Sequence, residues 1–549
     1  MSVFIGYPSF MAYQMMKGKK GNNDGFPSIT GMIARYSALG LTNEQMATNP
    51  VWVDKTGNGH DLQMKNFAWG RMSGVGGYVE NYNRWTKSAV RADITFTDHS
   101  FNVTSVKINQ TQFYYQSSGG EQPFTVPSGT VIVKGLTDGQ VLEYIYTDIE
   151  GRHVFTVKND GIYTLPSFEF IAKGAYYGFQ FNKVQESCNI TIEQLPLYPG
   201  ALVFDGVDDY GTCDNFPILT KGKGYTVVAL RSYLAKSIGY LVYNGTSAKQ
   251  SAFAFERSDS LDTWSWGKNS SIRNLLPKLM SYQTSNSYNN NPISTGEVVE
   301  SNNIINVAYG GGYCNVAIWE IVILDHDATE EELTKIKDYF VKTYPWLFPD
   351  QAWTVVGKTN EDEDRATIAN ITGNGNDLVL SNFGFAEGSG YNEEGEYAGY
   401  LVTDGVDDKI DSSAFKMGED FTVVGEWKLL PVSNYSYAGI IKTNNLYVYN
   451  NASIGISIYV CSSGVRNDME GLKSLKAICS DGRVYGEDWT EYKLSIGRTK
   501  GAQSSLYLGY NSKAYTKMIF KNLGIYNNQI LSKDDCIKAY NYLQTLKAK

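Results

Sequence analysis

The stretch Phe204–Tyr210 (FDGVDDY) recurs as Thr403–Lys409 (TDGVDDK), 199 residues further along the chain. Each copy places a glycine directly after an aspartate. Glycine adopts positive φ without strain, and an aspartate side chain can accept hydrogen bonds from the backbone that follows it. Both copies therefore predict a tight turn between two strands, and their agreement indicates an internal repeat.

The surroundings of the two turns repeat as well. Thr56–Gly59 (TGNG) matches Thr372–Gly375 at an offset of 316 residues, whereas the offset at the two turns is 199. About 117 extra residues must therefore lie between Gly74 and Asp205 in the first copy. We predict that the first repeat domain is split by an inserted module.

This repeat predicts an arm, two large domains and one inserted domain. The expected ranges are 1–30 for an N-terminal arm, 31–90 plus 199–347 for the first domain, 91–198 for the insertion, and 351–549 for the second domain. The insertion carries β-branched and aromatic runs typical of strands. These runs are Thr130–Val133, Val141–Tyr146, His153–Val157 and Cys188–Glu193. Asn159–Gly161 (NDG) predicts a hairpin turn before a further strand.

Each large domain is expected to end in a strand and a single helix. Thr329 and Ser532 each precede an acidic residue by three positions, which is typical of a helix N-terminus. Apolar residues follow at helical spacing: Leu333, Ile336 and Phe340 in one helix, and Cys536, Ala539 and Leu543 in the other. Each helix should lie along its own sandwich.

Composition restricts the function classes. The 549 residues carry a net charge of −9 with a pI of about 5.2, which disfavours a nucleic-acid-binding protein. The N-terminus lacks the pattern of a secretory signal, and no apolar run is long enough for a transmembrane helix, so we expect folding in a cytoplasm and no membrane insertion. Six scattered cysteines are then expected to be free thiols, although Cys461 and Cys479 could pair.

The order of these motifs resembles the LamG-like, concanavalin A-like jelly rolls of bacterial and phage proteins. Beyond the TGNG and DGVDD turns, Tyr225–Val228 and Phe421–Val424 match one strand of that family, and Ile496–Arg498 resembles its late strand. The resemblance covers 31–90 with 200–347, and 351–547. It implies a mainly β fold of two jelly-roll sandwiches, the first interrupted by a small immunoglobulin-like β-sandwich, each jelly roll ending in a short helix.

The whole chain also resembles virion proteins of phages that infect Bacteroides-type bacteria. That resemblance implies a non-enzymatic tail-fibre, spike or decoration protein of the virion. Its jelly rolls would bind host surface glycans or pack against other virion proteins, and it would form a homo-oligomer. The alternatives are a bacterial carbohydrate-binding protein and, less favoured, a glycosidase of the same superfamily.

The acidic turns are candidate metal sites as well as turns. Carboxylate oxygens are ligands that calcium prefers, and relatives in the resembled family include calcium-assisted sugar binders. The candidate ligands are Asp205, Asp208, Asp209, Asp404, Asp407 and Asp408. The turn interpretation is favoured, because no ligand from a second loop is evident; no cofactor is required, and calcium is the one ion to consider.

Aromatic residues in loops rich in Gly, Ser and Asn are the candidates for sugar recognition, because an exposed ring can stack on a pyranose. They are Trp264, Trp266, Tyr282, Tyr288, Tyr309 and Tyr313. Alternation along a strand predicts that Trp264 and Trp266 share one face. The competing interpretation for each is burial in the sandwich core.

Catalytic patterns are lacking in the sequence. The four histidines His60, His99, His153 and His326 show no metal-ligand spacing, and no nucleophile elbow accompanies them. The acidic ExDxxE strand of the superfamily's glycosidases has no match. We therefore predict a protein without enzymatic activity and without catalytic residues.

Overall fold

The computed structural model describes residues 24–548. The ranges outside the description are 88–90, 117–122, 138, 172–174, 248–249, 258, 261, 273–278, 394–396, 431–437, 452–454, 461–465, 471, 497–501 and 512–513. Strands make up 46% of the chain and helices 9%. The prediction of a mainly β chain of jelly-roll sandwiches is confirmed.

The first jelly roll has a helix-side sheet of eight strands drawn from both sides of the insertion. They are β1 (Met32–Ser37), β4 (Gly74–Val75), β17 (Leu202–Asp205), β19 (Thr226–Tyr233), β24 (Met280–Thr284), β25 (Ser287–Tyr288), β26 (Asn291–Pro292) and β28 (Asn315–Leu324). The order is β26-β25-β24-β19-β28-β17-β4, with β1 also paired to β28. All these pairs are antiparallel.

The second sheet of the first jelly roll is called the first distal sheet, because it lies away from the helices. Its order is β2-β3-β18-β27-β20-β21-β22-β23. The strands are β2 (Val51–Trp52), β3 (Leu62–Lys65), β18 (Tyr210–Cys213), β20 (Tyr240–Asn244), β21 (Phe253–Arg257), β22 (Asp262–Ser265), β23 (Lys268–Ser271) and β27 (Ile305–Val307). Large buried side chains such as Trp52, Phe204 and Trp266 fill the space between the two sheets.

The inserted residues form a separate sandwich of two five-stranded antiparallel sheets. One contains β6 (Ala92–Phe96), β7 (Ser100–Val106), β10 (Gly129–Lys134), β13 (Gly161–Leu165) and β16 (Ile190–Gln194). The other contains β5 (Thr86–Lys87), β8 (Thr111–Gln116), β11 (Leu142–Asp148), β12 (Gly151–Val157) and β15 (Tyr176–Phe181), and β9 (Phe124–Val126) pairs with β14 (Phe168–Phe170). Val79, Tyr82 and Trp85 belong to its core, so its packing begins upstream of residue 91.

The prediction of a hairpin turn at Asn159–Gly161 is wrong. Asn159–Gly161 joins β12 to β13, which lie in different sheets, whereas the hairpin is formed by β11 and β12. Asp160 accepts hydrogen bonds from the backbone N–H groups of Gly135 and Leu136, at 2.9 and 2.8 Å. Its side chain therefore stabilises a loop of the neighbouring strand rather than a two-residue hairpin.

The second jelly roll repeats the two-sheet plan. Its helix-side sheet contains β29 (Gln351–Thr354), β32 (Gly390–Asn392), β33 (Tyr400–Val402), β36 (Phe421–Leu429), β41 (Leu475–Cys479), β42 (Arg483–Gly486), β43 (Glu491–Lys493) and β48 (Met518–Asn527). The second distal sheet contains β30 (Thr367–Ile368), β31 (Leu378–Ser381), β34 (Lys409–Ser412), β37 (Ala438–Lys442), β38 (Leu446–Asn451), β39 (Gly455–Val460), β40 (Asn467–Glu470) and β45 (Tyr507–Leu508). Two ribbons pair β35 (Phe415–Met417) with β44 (Ala502–Ser504) and β46 (Tyr510–Asn511) with β47 (Ala514–Tyr515).

The expected late strand at Ile496–Arg498 is not observed. Ile496 lies outside any strand and is 41% exposed, and Gly497 and Arg498 fall outside the described residues. The strand that completes the second distal sheet between β34 and β37 is instead β45.

The two longer helices lie between the two jelly rolls. α1 (Asn43–Thr48) is a short surface helix, whereas α2 (Glu330–Thr343) and α3 (Lys533–Gln544) follow the last strand of each jelly roll. Thr329 and Glu332 form a reciprocal capping box, and Ser532 accepts from the N–H of Asp535, so both predicted N-termini are confirmed. Short 3-10 helices lie at Tyr82–Arg84 and Pro345–Leu347.

One apolar cluster joins both helix-side sheets. It contains Trp319 and Val322 of β28, Phe340 of α2, and Tyr542 and Leu543 of α3, together with residues of the second helix-side sheet. The rings of Trp319 and Tyr542 meet edge to face at 6.5 Å. The two jelly rolls therefore pack with their helix-side sheets towards each other, and both distal sheets face away from this contact.

The chain before β1 packs on β1 and on α2, where the rings of Phe26 and Tyr339 meet edge to face at 4.8 Å. Asp24 accepts from Arg35 Nη1 at 2.7 Å, and the ring of Phe26 lies 4.0 Å from the Arg35 guanidinium. The remainder of the expected arm, residues 1–23, lies outside the described residues.

Candidate functional site: tyrosines on the first distal sheet

A continuous row of side chains crosses the first distal sheet on its outer face. Directly opposed residues of antiparallel strands share a face. The row is Val51, Gln63, Thr212, Asn306, Tyr243, Ala254, Trp264 and Asn269. The adjacent row of Val307, Val242 and Phe255 belongs to the core, so this row faces outward.

A glycine hairpin places two further tyrosines beside this row. In Tyr309–Tyr313 (YGGGY) the two tyrosines form an isolated antiparallel bridge, and the N–H of Gly310 donates to the carbonyl of Gly312 at 3.1 Å. Gly311 has φ of +78°, a conformation that side chains disfavour. A Cβ at Gly310 would lie 2.9 Å from Cδ2 of Tyr240. The three glycines thus allow the bridge to lie directly against the sheet.

Three tyrosine rings form a compact surface group, here called the tyrosine platform (Tyr210, Tyr309 and Tyr313). The centroid of Tyr210 lies 5.2 Å from that of Tyr309 and 6.2 Å from that of Tyr313. Tyr309 and Tyr313 are 5.3 Å apart. All three side chains are half-buried, so each keeps part of its ring accessible.

The hydroxyls of the tyrosine platform are available to a ligand. Within the described part of the chain, no hydrogen bond is formed by any of the three. Tyrosines of the core behave differently: the hydroxyl of Tyr225 bonds to Ser265 at 3.0 Å, and that of Tyr344 donates to Glu320 at 2.8 Å. The hydroxyls of these two core tyrosines are satisfied internally, whereas the platform presents apolar rings with polar ends to solvent.

The aromatic surface continues along the sheet. The rings of Tyr240 and Tyr243 are 5.8 Å apart, and Gly310 lies against both. Half-buried Trp264 lies two strands further along the outer row. The surface therefore combines rings with the hydroxyl of half-buried Thr212, whereas Asn306 is buried and its amide donates to the carbonyl of Gly245 at 3.2 Å.

Two predicted sugar-binding residues are core residues instead. Trp266 is 2% exposed, and Tyr288 is fully buried with its hydroxyl donating to Glu256 at 2.5 Å. Trp266 does not share a face with Trp264, because β22 ends at Ser265 and Trp266 has φ of +48°. That backbone turn directs the ring into the core, where it lies 5.7 Å from Tyr225.

Tyr282 is also removed from the platform. It lies in β24 of the helix-side sheet and packs against the apolar cluster shared with the helices. Of the six predicted aromatic residues, the structure brings Tyr309 and Tyr313 together and places Trp264 on the same sheet.

Sequence reasoning missed Tyr210 and Tyr243. Tyr210 directly follows the DGVDD turn, and Cys213 three residues later is buried in the core. Alternation from Cys213 could have placed Thr212 and Tyr210 on the outer face. No comparable signal marked Tyr243, since its position depends on strand register across the sheet.

The DGVDD turn is held by its own aspartates. Asp205 Oδ1 accepts from the N–H of Val207 at 2.7 Å, and Asp209 Oδ2 accepts from the N–H of Asp205 at 3.0 Å. Ser73 donates its hydroxyl to Asp209 Oδ1 at 3.0 Å. Asn66 completes the turn by donating to the carbonyl of Asp208.

The second copy reproduces these bonds. Asp404 Oδ1 accepts from Val406 at 2.7 Å, Asp408 Oδ2 accepts from Asp404 at 2.7 Å, and Ser389 donates to Asp408 Oδ1 at 3.0 Å. Burial raises the pKa of Asp408 to about 6 and that of Asp209 to about 7, against hydrogen bonds that lower both pKa values. Both copies are therefore built as turns around a buried aspartate.

Calcium at these turns stays a prediction. Oxygens of Asp205, Asp208 and Asp209 lie within 4.8 Å of one another, as do those of Asp404, Asp407 and Asp408. Most of these contacts are explained by the turn itself, because the buried aspartate and the first aspartate of each copy already accept backbone N–H groups.

A buried acidic group elsewhere in the first jelly roll is structural. Glu256 accepts from Arg231 at 2.7 and 2.8 Å and from the hydroxyl of Tyr233 at 3.0 Å. Glu256 is fully buried and Arg231 is 2% exposed. A group enclosed in this way between two sheets satisfies charges within the core and lies away from the outer surface.

Comparison with known proteins gives matches among solved structures. No family model matches the chain, and no curated protein matches it. Among solved structures, domain 4 of an extracellular GH43 arabinanase from Geobacillus stearothermophilus, in complex with arabinotriose, is 15% identical; the match covers 35% of this chain and 99% of that one, with a TM-score of 0.23.

Two other solved structures give similarly distant matches. Trypanosoma rangeli sialidase is 8% identical, with 81% of this chain and 61% of that chain covered and a TM-score of 0.26. A CBM22 tandem domain from Paenibacillus barcinonensis is 11% identical, with coverages of 47% and 94% and a TM-score of 0.14. Likenesses at TM-scores this low show nothing about the function of this chain.

No helix among the described residues combines the length and apolar character needed to cross a membrane.

Proposed function

We propose that the protein is a non-enzymatic carbohydrate-binding protein whose tyrosine platform stacks on sugar rings. The observation that carries the proposal is the group Tyr210, Tyr309 and Tyr313, with ring centroids 5.2 to 6.2 Å apart and hydroxyls that bond to no described residue. A jelly roll by itself does not define a function, so this surface and not the fold supports the proposal.

The chemistry of the surface suits a sugar. A pyranose has an apolar face that packs on an aromatic ring, and its hydroxyls need hydrogen-bonding partners at the rim. Tyrosine rings supply the first, and the hydroxyls of half-buried Thr212 and of the three tyrosines supply the second. Strand β18 positions Tyr210 and Thr212, and the Tyr309–Tyr313 bridge positions the other two rings, so little side-chain entropy should be lost on binding.

The double variant Y309A/Y313A tests this proposal on a glycan array followed by calorimetry of the bound glycans. Each lost ring contact is worth about 1 kcal/mol, so we expect affinity to fall about tenfold to thirtyfold. The matched control is Y114A/Y176A, which removes a half-buried tyrosine pair with centroids 5.5 Å apart on the inserted sandwich. Equal losses in both variants, or none in the first, would contradict the proposal.

The absence of catalysis is part of the same proposal. The carboxylates of the nearby turn accept backbone N–H groups, which commits them to structure. Incubation with the bound glycan should therefore release no new reducing ends over hours. Release of reducing ends that persists in a Y114A/Y176A control would establish a glycosidase instead.

The virion assignment stays a prediction from the resemblance to phage proteins. The tyrosine platform serves equally a phage adhesion protein and a bacterial carbohydrate-binding protein, since both need an outward glycan surface. Mass spectrometry of purified phage particles separates the two: the chain should be present at a fixed copy number in the first case. A virion location also predicts contacts with other virion proteins and a homo-oligomer.

A further inference from the structure

The second distal sheet repeats the strand order of the first. The order β30-β31-β34-β45-β37-β38-β39-β40 corresponds strand by strand to β2-β3-β18-β27-β20-β21-β22-β23. Its outer row is Thr367, Val379, Asp411, Tyr507, Lys442, Tyr447 and Tyr459. Asp411 matches Thr212 at the same offset of 199 residues that relates the DGVDD turns. Positions on the two surfaces can therefore be compared directly.

The comparison shows a change from rings to cations at two positions. The residue after the DGVDD turn is Tyr210 in the first copy and Lys409 in the second. The residue of the outer row on the fifth strand is Tyr243 in the first copy and Lys442 in the second. Compared with the first surface, the second has two additional ammonium groups. Tyrosines at other positions of the second surface supply its aromatic rings.

Lys442 lies between two tyrosine groups. Its Nζ is 5.8 Å from the ring centroid of Tyr447 and 6.0 Å from that of Tyr507. Lys409 Nζ lies 5.8 Å from the ring of Tyr510. Neither lysine forms an ion pair with any described residue, so both ammonium groups are held in place by rings rather than neutralised by carboxylates.

The tyrosines around the lysines form two groups. The rings of Tyr447 and Tyr459 lie 6.3 Å apart and only 11° from parallel, and both pack on the buried ring of Tyr449. On the other side, Tyr510 lies 5.6 Å from Tyr507 and 6.2 Å from Tyr515. Since strands are about 4.8 Å apart, the row from β39 to β34 extends for about 19 Å, which accommodates several linked sugar rings.

We propose that the outer face of the second distal sheet binds an acidic oligosaccharide, with Tyr447, Tyr459 and Tyr510 stacking on sugar rings and Lys409 and Lys442 pairing with their anionic groups. The anionic group is a carboxylate or a sulfate, which share the ability to accept from an ammonium. This site is separate from the tyrosine platform, and it gives the two jelly rolls different ligand classes.

The charge balance of the surface favours a sugar over a nucleic acid. Stacking rings with lysines also occur in proteins that bind single-stranded nucleic acid, but those proteins line the strand with a continuous basic groove. Here Asp411 lies in the same row and accepts from the hydroxyl of Tyr510 at 3.0 Å, and the whole chain carries a charge of −9. A ligand with intermittent charge fits this pattern better than a phosphate chain.

The test uses the full chain and calorimetric titration with oligogalacturonate, heparin-derived oligosaccharide and a neutral cello-oligosaccharide. The variant K409M/K442M removes both charges and keeps the apolar stems. We expect binding of one of the acidic ligands, weakened about tenfold by the variant, since each exposed charge pair is worth up to about 1 kcal/mol. Binding should also weaken as salt is raised. The two acidic ligands distinguish carboxylate from sulfate.

The matched control is K65M, which removes the lysine opposite Tyr210 on the first distal sheet. A second variant, Y447A/Y459A, should weaken the same acidic ligand while K65M leaves its affinity unchanged. Equal affinity for the neutral ligand, unchanged affinity in K409M/K442M, absence of binding to both acidic ligands, or tighter binding of a single-stranded oligonucleotide would each overturn the proposal. Because Y309A/Y313A is scored separately on its own ligands, failure here leaves the first proposal standing, and the reverse holds.

Discussion

At the scale of single residues, the two DGVDD turns explain why an acidic motif can be structural. Asp209 is fully buried, and its two oxygens accept from a backbone N–H and a serine hydroxyl. The sequence showed an acidic turn and could not show burial, which depends on Ser73 from a distant loop. The elevated pKa of this carboxyl is therefore a consequence of the fold.

The raised pKa of Asp209 predicts that the free energy of unfolding depends on pH. Burial raises the pKa of Asp209 to about 7, so the folded state keeps a proton that the unfolded chain releases near pH 4. The free energy of unfolding should then fall as pH rises from about 4 to 7, by on the order of 4 kcal/mol, and level off above. Asp209→Asn should flatten this dependence in chemical denaturation at pH 5 and pH 8, because its amide can accept from Asp205 and donate to Ser73.

Two controls define the pH experiment. Asp214→Asn alters an exposed aspartate nearby and should leave the dependence intact. If the DGVDD motif serves only as a turn, calcium should not change the midpoint of chemical denaturation of the wild-type protein. A calcium-dependent increase that Asp208→Asn abolishes would show a bound ion, and a parallel pH profile in Asp209→Asn would show that the buried proton lies elsewhere.

At the scale of elements, the YGGGY hairpin decides the geometry of the tyrosine platform. Tyr309 and Tyr313 were predicted as sugar contacts from their loop composition, and the hairpin brings them together. Trp266 and Tyr288 have the same composition around them but are buried. The difference arises from strand ends and backbone turns, such as the left-handed residue at Trp266, which local composition does not encode.

Gly311→Ala tests the hairpin directly. The Cβ would meet no atom within 4 Å, so any effect comes from the left-handed backbone at φ of +78°, which costs an L-residue about 1–2 kcal/mol. We expect weaker glycan binding by several fold and little change in the melting temperature. Gly311→Asn is the matched control, because asparagine tolerates this conformation better and should restore most of the affinity. Equal affinities for both variants would show that the platform does not depend on this turn.

Elements with strong local signals were predicted well. The caps at Thr329 and Ser532 and the buried stripes Ile336 and Phe340, or Cys536 and Ala539, follow from short-range rules. The predictions of a late strand at Ile496 and of a hairpin at Asn159–Gly161 were wrong. Both depend on which strands pair, and the pairing partners come from remote parts of the chain. The outer rows are also determined by the register between remote strands. The lysine-bearing surface of the second jelly roll could therefore not be predicted from the sequence.

At the scale of the whole molecule, α3 contacts all three domains. Tyr542 meets Trp319 of the first jelly roll, and Leu543 packs in the apolar cluster shared by both helix-side sheets. Asn541 accepts from the hydroxyl of Thr130 in the inserted sandwich at 2.9 Å. The hydroxyl of Tyr540 donates to Glu426 at 2.8 Å and lies 3.3 Å from that of Thr164. The sequence predicted that each helix would lie along its own sandwich, and the terminal helix contacts the other two domains in addition.

This coupling predicts that a substitution near the C-terminus destabilises the first jelly roll. Tyr542→Ala leaves a cavity against Trp319 and should lower the free energy of unfolding by about 3 kcal/mol. Hydrogen exchange should accelerate in β28, more than 200 residues away in sequence, as well as in the second jelly roll. Asp534→Asn, on the exposed side of the same helix, should change stability by only a few tenths of a kcal/mol. Faster exchange confined to the second jelly roll would mean that the shared cluster does not transmit stability between the domains, and that the two distal surfaces are carried by independently folding units.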